Sequence, residues 1–161
     1  MDNLITAKSE HIYAVVGREE IQSYPKKDGA IDTNNINLFP KELVFISISD
    51  PKRSFIKTDG YFHDELKLKF WDVEEQIGSY CPIHESQAKE IKDFILKHKD
   101  RKFLINCEAG ISRSAGIGCA VEYLLRDKDL FPKESYVISA IRQHWRYDTN
   151  ETVYKSIVEA M

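Results

Sequence analysis

The segment from residue 102 to residue 126 constrains the fold of this chain more than any other. It begins with the apolar run KFLIN and continues, after a short loop, as SAGIGCAVEYLL. The first run is typical of a buried central strand, and the second has the long apolar face of a packed helix. We therefore expect the loop between them to lie at the carboxyl end of a strand, where open α/β sheets bind ligands.

Other strands and helices are indicated on both sides of this segment. Short β-branched or alternating stretches predict strands at residues 11–17, 43–49, 65–71 and 102–107. Apolar residues at helical spacing predict helices at residues 84–99, 114–126, 133–145 and 149–161, the last with Thr149 as its N-cap. This order predicts an α/β fold with a central, mostly parallel sheet of about four or five strands and helices on both faces.

Composition bounds the kind of protein. A chain of 161 residues with 42% hydrophobic residues can bury one sizeable core, so we expect a single domain over residues 1–161. The net charge of -3 argues against a nucleic-acid partner. No apolar run is long enough to predict a membrane partner or a signal sequence. Three cysteines, an odd and small number, indicate free thiols, and we expect a cytoplasmic protein.

The loop CEAGISR, residues 107–113, has the chemistry of an anion-binding site, and we refer to it as the anion loop. A short loop that ends on a helix N-terminus directs backbone N–H groups into one concavity, where the helix dipole adds positive charge. Gly110 permits a positive φ, and Ala109 leaves the rim uncrowded. Arg113 can bind two phosphate oxygens at once. Cys107 would then lie beneath the phosphorus as a thiolate nucleophile, and Ser114 can donate its hydroxyl to the sulfur.

Simpler interpretations exist for the other cysteines. Cys119 lies on an apolar helix face and is expected in the core. Cys81 and His84 have the spacing of half a zinc site, but the sequence has no second pair with such spacing, so we expect no metal. Cys81 is also a candidate redox partner of Cys107, although a plain thiol is the simpler interpretation.

The anion loop resembles the signature of the cysteine-dependent protein tyrosine phosphatase superfamily, Cys-x5-Arg followed by Ser or Thr. Its form is most similar to the small dual-specificity branch, and the order of elements is similar from about residue 40 onward. The resemblance implies a phosphatase-like fold, catalysis by Cys107, Arg113 and Ser114, and no cofactor. Asn106 stands where the family usually has His. The implied phosphate-binding residues are Cys107, Glu108, Ala109, Gly110, Ile111, Ser112 and Arg113.

The resemblance also implies a general acid on an upstream loop. Asp72 follows a predicted strand 35 positions before Cys107, and the alternatives are Glu74, Glu75 and Asp64. The segment RQHWRYDTN resembles the family's Arg-rich segment that ends in Pro-Asn. Asn150 is therefore expected to brace the anion loop, although Thr149 stands where the family has Pro.

The predicted function is hydrolysis of phosphotyrosine, and of phosphoserine or phosphothreonine, on a protein substrate through a cysteinyl-phosphate. The anion loop contains no Lys, and Glu108 is expected to repel a polyanion, which favours a singly phosphorylated side chain. One alternative is a catalytically silent phosphate-binding module, and another is a phosphatase for a non-protein phosphomonoester. A cysteine-based arsenate reductase or sulfurtransferase is a further alternative.

Overall fold

The computed structural model describes residues 11–21, 35–126 and 149–161. The strands are β1 (Ile12–Gly17), β2 (Val44–Ser49), β3 (Asp64–Lys69) and β4 (Phe103–Cys107). The helices are α1 (Arg18–Ile21), a 3₁₀ helix (Asn35–Leu38), α2 (Glu85–Lys97), α3 (Arg113–Leu125) and α4 (Glu151–Glu159). The helix predicted at residues 133–145 lies outside the described residues.

The strands form one parallel sheet in the order β1-β4-β2-β3. This arrangement confirms the predicted α/β class, and β4, the strand predicted to be central, has a neighbour on each side. Because all strands of the sheet run the same way, their carboxyl ends meet at one edge, which we call the carboxyl edge. The last residue of β4, Cys107, pairs there with the last residue of β1, Gly17.

Apolar clusters cover both faces of the sheet, and of the four described strands only the edge strand β3 is half-buried throughout. On β4, Phe103 and Ile105 pack into one apolar cluster together with α2, α3 and α4, while Leu104 packs into a second cluster. This alternation follows from the two-residue period of a strand. The second cluster covers the other face with Ile21 at the end of α1 and with Phe62, whose ring lies 4.9 Å from that of Phe45.

The start of α4 corrects one expectation. The N-cap is Asn150 and not Thr149, because the Asn150 side chain accepts the backbone N–H of Val153 at 3.1 Å. Helix α3 packs closely against this end: a Cβ on Gly116 would lie 2.7 Å from the carbonyl oxygen of Asn150. The start of α4 is therefore held against the first turns of α3.

Within the described parts of the chain, no helix combines the length and the apolar content needed to cross a membrane.

Candidate active site

The anion loop lies at the carboxyl edge between β4 and α3. Gly110 has φ +75°, and a Cβ at this position would lie 2.3 Å from the backbone nitrogen of Gly17. A side chain here would therefore meet both backbone strain and a clash with the end of β1. The same close approach excludes a side chain on Gly17, because a Cβ there would lie 2.9 Å from the carbonyl oxygen of Ala109. The conformation of the loop thus depends on glycine at both positions, and Gly17 was not identified from the sequence.

Two polar groups lie within hydrogen-bond distance of the sulfur of Cys107, which is buried. The backbone N–H of Gly110 donates to Sγ at 3.2 Å, and the hydroxyl oxygen of Ser114 lies 3.1 Å from Sγ. The sulfur also lies close to the N-terminus of α3, whose dipole adds positive charge. The sulfur is therefore bordered by a backbone N–H, a hydroxyl and a helix N-terminus.

The guanidinium of Arg113 is buried and held from one side. Its Nη1 donates to Oδ1 of Asp50 and to the carbonyl oxygen of Phe70, each at 2.7 Å. Its Nε is buried without a hydrogen-bond partner among the described residues. Asp50 was missed at the sequence level, although its position directly after β2 is the signal that pointed to Asp72 after β3.

Asp72 contacts the anion loop directly. Its Oδ1 accepts the hydroxyl of Ser112 at 2.8 Å and the side-chain amide of Asn150 at 2.9 Å. Glu74, one of the alternatives, instead accepts the backbone N–H of Glu151 at 3.4 Å. Of these two candidate acids, Asp72 therefore contacts the anion loop, whereas Glu74 contacts the start of α4.

Asp64 lies far from this site. Asp64 is the first residue of β3 and pairs with Val44 on β2. Val44 in turn pairs with Phe103, the first residue of β4. The four residue-to-residue steps from Phe103 to Cys107 span about 13 Å. Asp64 therefore lies near the amino edge of the sheet, which argues against a role as the acid.

The pKa of Asp64 lies below its ordinary value. Burial acts in the opposite direction and raises the pKa, but several favourable contacts outweigh it. The ring Nε2 of His98 lies 2.8 Å from Oδ2, the backbone N–H of Glu65 donates to Oδ1 at 2.9 Å, and Lys97 adds positive charge. Together these contacts stabilise the carboxylate.

Asn150 links the two loops of the site. Besides its bond to Asp72, its side-chain amide donates to the carbonyl oxygen of Val73 at 3.4 Å. Its backbone N–H donates to the carbonyl oxygen of Ser112 at 3.2 Å. One buried residue thus contacts both the loop of the candidate acid and the anion loop.

Asn106 is buried and joins three strands. Its Oδ1 accepts the hydroxyl of Ser47 on β2 at 2.7 Å, and its amide donates to the carbonyl oxygens of Cys107 at 3.0 Å and Val16 on β1 at 3.4 Å. An amide can satisfy this mixed set of donor and acceptors without carrying charge. Asn106 therefore supports the end of β4 through hydrogen bonds alone.

The carboxylate of Glu108 corrects a second expectation. Its Oε1 accepts from Nη1 of Arg18 at 3.0 Å, and its Oε2 accepts from Nη1 of Arg53 at 2.7 Å. With two arginines on one carboxylate, the negative charge is more than neutralised, so the predicted repulsion of a polyanion is wrong. Two other residues of the anion loop, Ala109 and Ile111, are exposed at its rim.

No family model matches the sequence, and no curated protein matches it significantly. Solved structures do match. The crystal structure of Tk-PTP in the active form has a TM-score of 0.51 and 18% identity, over 75% of this chain and 81% of that one. The human tyrosine phosphatase-like serine/threonine/tyrosine-interacting protein has a TM-score of 0.51 and 20% identity, over 74% and 76%. PTPMT1 in complex with PI(5)P has a TM-score of 0.51 and 16% identity, over 73% and 75%.

These matches confirm the predicted resemblance at the level of the fold. The chain has the fold of the cysteine-dependent protein tyrosine and dual-specificity phosphatases.

Proposed function

We propose that this protein is a phosphatase that hydrolyses phosphomonoesters through a cysteinyl-phosphate on Cys107. One observation carries the proposal: the N–H of Gly110 and the hydroxyl of Ser114 converge on a buried cysteine sulfur at a helix N-terminus. A thiol that serves only as core packing does not need these polar contacts. The arrangement is instead suited to a stabilised thiolate beneath a bound anion.

In the first step, the loop N–H groups and the unpartnered Nε of Arg113 bind the equatorial phosphoryl oxygens. In a guanidinium, the N–H of Nε and one N–H of Nη2 point the same way and form one edge. Asp50 binds Nη1, which is not part of that edge, so the edge can bind two phosphoryl oxygens. The sulfur of Cys107 attacks phosphorus, the bond to the ester oxygen breaks, and Asp72 gives its proton to the departing oxygen.

In the second step, water attacks the phosphorus of the cysteinyl-phosphate. Asp72, now ionised, takes a proton from the water, and the S–P bond breaks to release inorganic phosphate. The hydroxyl of Ser114 stabilises the departing thiolate of Cys107. The cycle restores the thiolate and the protonated acid, and it uses neither a metal nor an organic cofactor.

The proposed substrate is a phosphorylated protein, with phosphotyrosine as the first choice and phosphoserine or phosphothreonine also accepted. Ile111, 46% exposed on the anion loop, gives the rim an apolar side chain against which a phenol ring can pack. A non-protein phosphomonoester is the alternative substrate, and a panel of phosphopeptides and small phosphomonoesters separates the two.

The test of the activity is hydrolysis of p-nitrophenyl phosphate and its inhibition by vanadate. We expect Cys107→Ser to abolish turnover and to retain tungstate binding, because much of the anion site is backbone. Cys81→Ser is the matched control, since the Cys81 thiol donates to the Ser79 carbonyl oxygen, and this variant should leave turnover unchanged. Tungstate binding without hydrolysis by the unmodified protein would instead indicate a silent phosphate-binding module.

A further inference from the structure

A pair of arginines flanks the anion loop outside the proposed catalytic residues. Arg18, at the start of α1, is nearly enclosed, with 8% of its side chain exposed. Its Nη1 donates to Glu108 and its Nη2 donates to the carbonyl oxygen of Ser54 at 3.0 Å. Arg53 binds the other oxygen of the same carboxylate but keeps 55% of its side chain exposed.

The charges of this group do not cancel. Two guanidinium groups and one carboxylate leave one positive charge, and Arg18 is enclosed, so the charge that solvent can reach lies on Arg53. Glu108 follows Cys107 in the chain, with Cα atoms about 3.8 Å apart. One glutamate side chain and one ion-pair contact then separate Arg53 from the loop. The guanidinium therefore lies on the order of 10 Å from the nucleophile's backbone.

The backbone also fixes Arg53 beside the site. Its N–H donates to the carbonyl oxygen of Asp50 at 2.9 Å, which closes a turn over residues 50–53. The side chain of the same Asp50 binds Arg113. Arg53 is thus connected to the anion loop through Glu108 and to the phosphate-binding arginine through Asp50. The turn fixes the backbone of Arg53, and the contact with Glu108 holds its guanidinium.

We propose that Arg53 binds a second anionic group of the substrate, a carboxylate or a further phosphate close to the phosphorylated residue of a protein. This inference rests on the proposed function. Glu108 has the role of a positioning residue, which holds Arg53 at the rim. A peptide is favoured because Phe55 and Ile111, 42% and 46% exposed, offer apolar contacts beside the charge. Phe55 lies at the carboxyl edge, since the Nζ of Lys69, the last residue of β3, is 4.6 Å from its ring centre.

The test measures binding of labelled phosphopeptides to the Cys107→Ser protein by fluorescence anisotropy. One peptide has neutral residues beside the phosphotyrosine, a second has Asp and Glu there, and a third has a second phosphate. We expect the two anionic peptides to bind about three- to tenfold more tightly than the neutral one. Arg53→Ala should remove this preference, and Arg53→Lys should restore part of it.

Arg101→Ala is the matched control, because it removes the same charge from the amino edge of the sheet, where Arg101 donates to the carbonyl oxygen of Glu42. It should keep the full preference. Equal binding of neutral and anionic peptides, or a preference that survives Arg53→Ala, would overturn the proposal. Stronger binding of a soluble inositol polyphosphate than of any peptide would also overturn it, in favour of a phosphoinositide.

The binding test does not depend on turnover, because the variant lacks the nucleophilic sulfur. Hydrolysis of p-nitrophenyl phosphate by the unmodified protein is measured in parallel. Equal binding of the neutral and anionic peptides by the Cys107→Ser protein, together with normal hydrolysis by the unmodified protein, contradicts only the role of Arg53. Absent hydrolysis with an intact preference contradicts only the proposed activity.

Discussion

The guanidinium of Arg113 and the carboxylate of Asp50 form an ion pair with 2.7 Å between Nη1 and Oδ1. An arginine in the first turn of a helix lies close to the positive end of the dipole, which is unfavourable. Asp50 compensates for this and holds Nη1, together with the carbonyl oxygen of Phe70. The pair therefore fixes the plane of the guanidinium while Nε remains without a partner among the described residues.

Asp50→Ala is expected to lower kcat/KM for p-nitrophenyl phosphate by about 10- to 100-fold, because a misplaced guanidinium binds the transition state poorly. Asp50→Asn should lose less, since its amide oxygen still accepts a hydrogen bond from Nη1. Asp59→Asn, a change of an exposed loop carboxylate, is the control. Wild-type kinetics for Asp50→Ala would show that Arg113 does not need this partner.

Arg113→Lys is expected to reduce kcat by roughly 10²- to 10³-fold. A lysine ammonium is a point charge without the planar fork, so it cannot hold Asp50 and the Phe70 carbonyl oxygen while presenting a second edge to the phosphate. Steady-state kinetics measure the effect, and circular dichroism verifies that the variant is folded. A folded variant with near-normal kcat would remove Arg113 from the mechanism.

Asp72→Asn is expected to lower turnover of a serine phosphate by roughly 10²- to 10⁴-fold, because its alkoxide leaving group needs a proton. The loss should be smaller for an activated aryl phosphate. The amide oxygen of Asn can still accept from Ser112 and Asn150, so the local structure should survive. Only the alkaline limb of the pH profile, where the acid loses its proton, should flatten.

Glu75→Gln is the control for Asp72, because Glu75 is an exposed carboxylate three positions further along the same loop. It should change neither the leaving-group dependence nor the alkaline limb. Equal losses for both leaving groups in Asp72→Asn, with an intact alkaline limb, would exclude Asp72 and direct the search to Glu74 and Glu75.

Asp64→Asn should affect stability and leave hydrolysis unchanged. The folded-state pKa of Asp64 is below its ordinary value of 3.8, so its carboxylate stabilises the fold at pH values above the unfolded pKa. This contribution is lost as the pH falls through the folded pKa. The difference in unfolding free energy between the wild type and the variant should therefore be largest above about pH 5 and shrink toward pH 3.

Urea denaturation at a series of pH values measures this difference. Because the side chain of Asp64 is 37% exposed, solvent screens its interactions with Lys97 and His98, and the effect should be small. A difference that does not change between pH 3 and pH 7 would contradict the assigned stabilisation of the carboxylate.

The sequence by itself determined the α/β class and the strand, loop and helix that contain Cys107 and Arg113. These features are encoded locally, because the period of apolar residues distinguishes strands from helices, and a glycine marks the loop position where φ is positive. The resemblance to the phosphatase signature also indicated two further residues. Asp72 was indicated by its position upstream of Cys107, and Asn150 by the segment that it ends. The structure shows that these two residues contact each other and Ser112.

Only the tertiary structure decided what surrounds this loop. Asp50 lies 63 positions from Arg113 in the chain, and Arg18 lies 90 positions from Glu108. No local period encodes such pairs. They form because the parallel strands end at one edge of the sheet, which brings residues from distant loops together. For this reason the sequence suggested that Glu108 repels anions, whereas the folded chain neutralises it with two arginines.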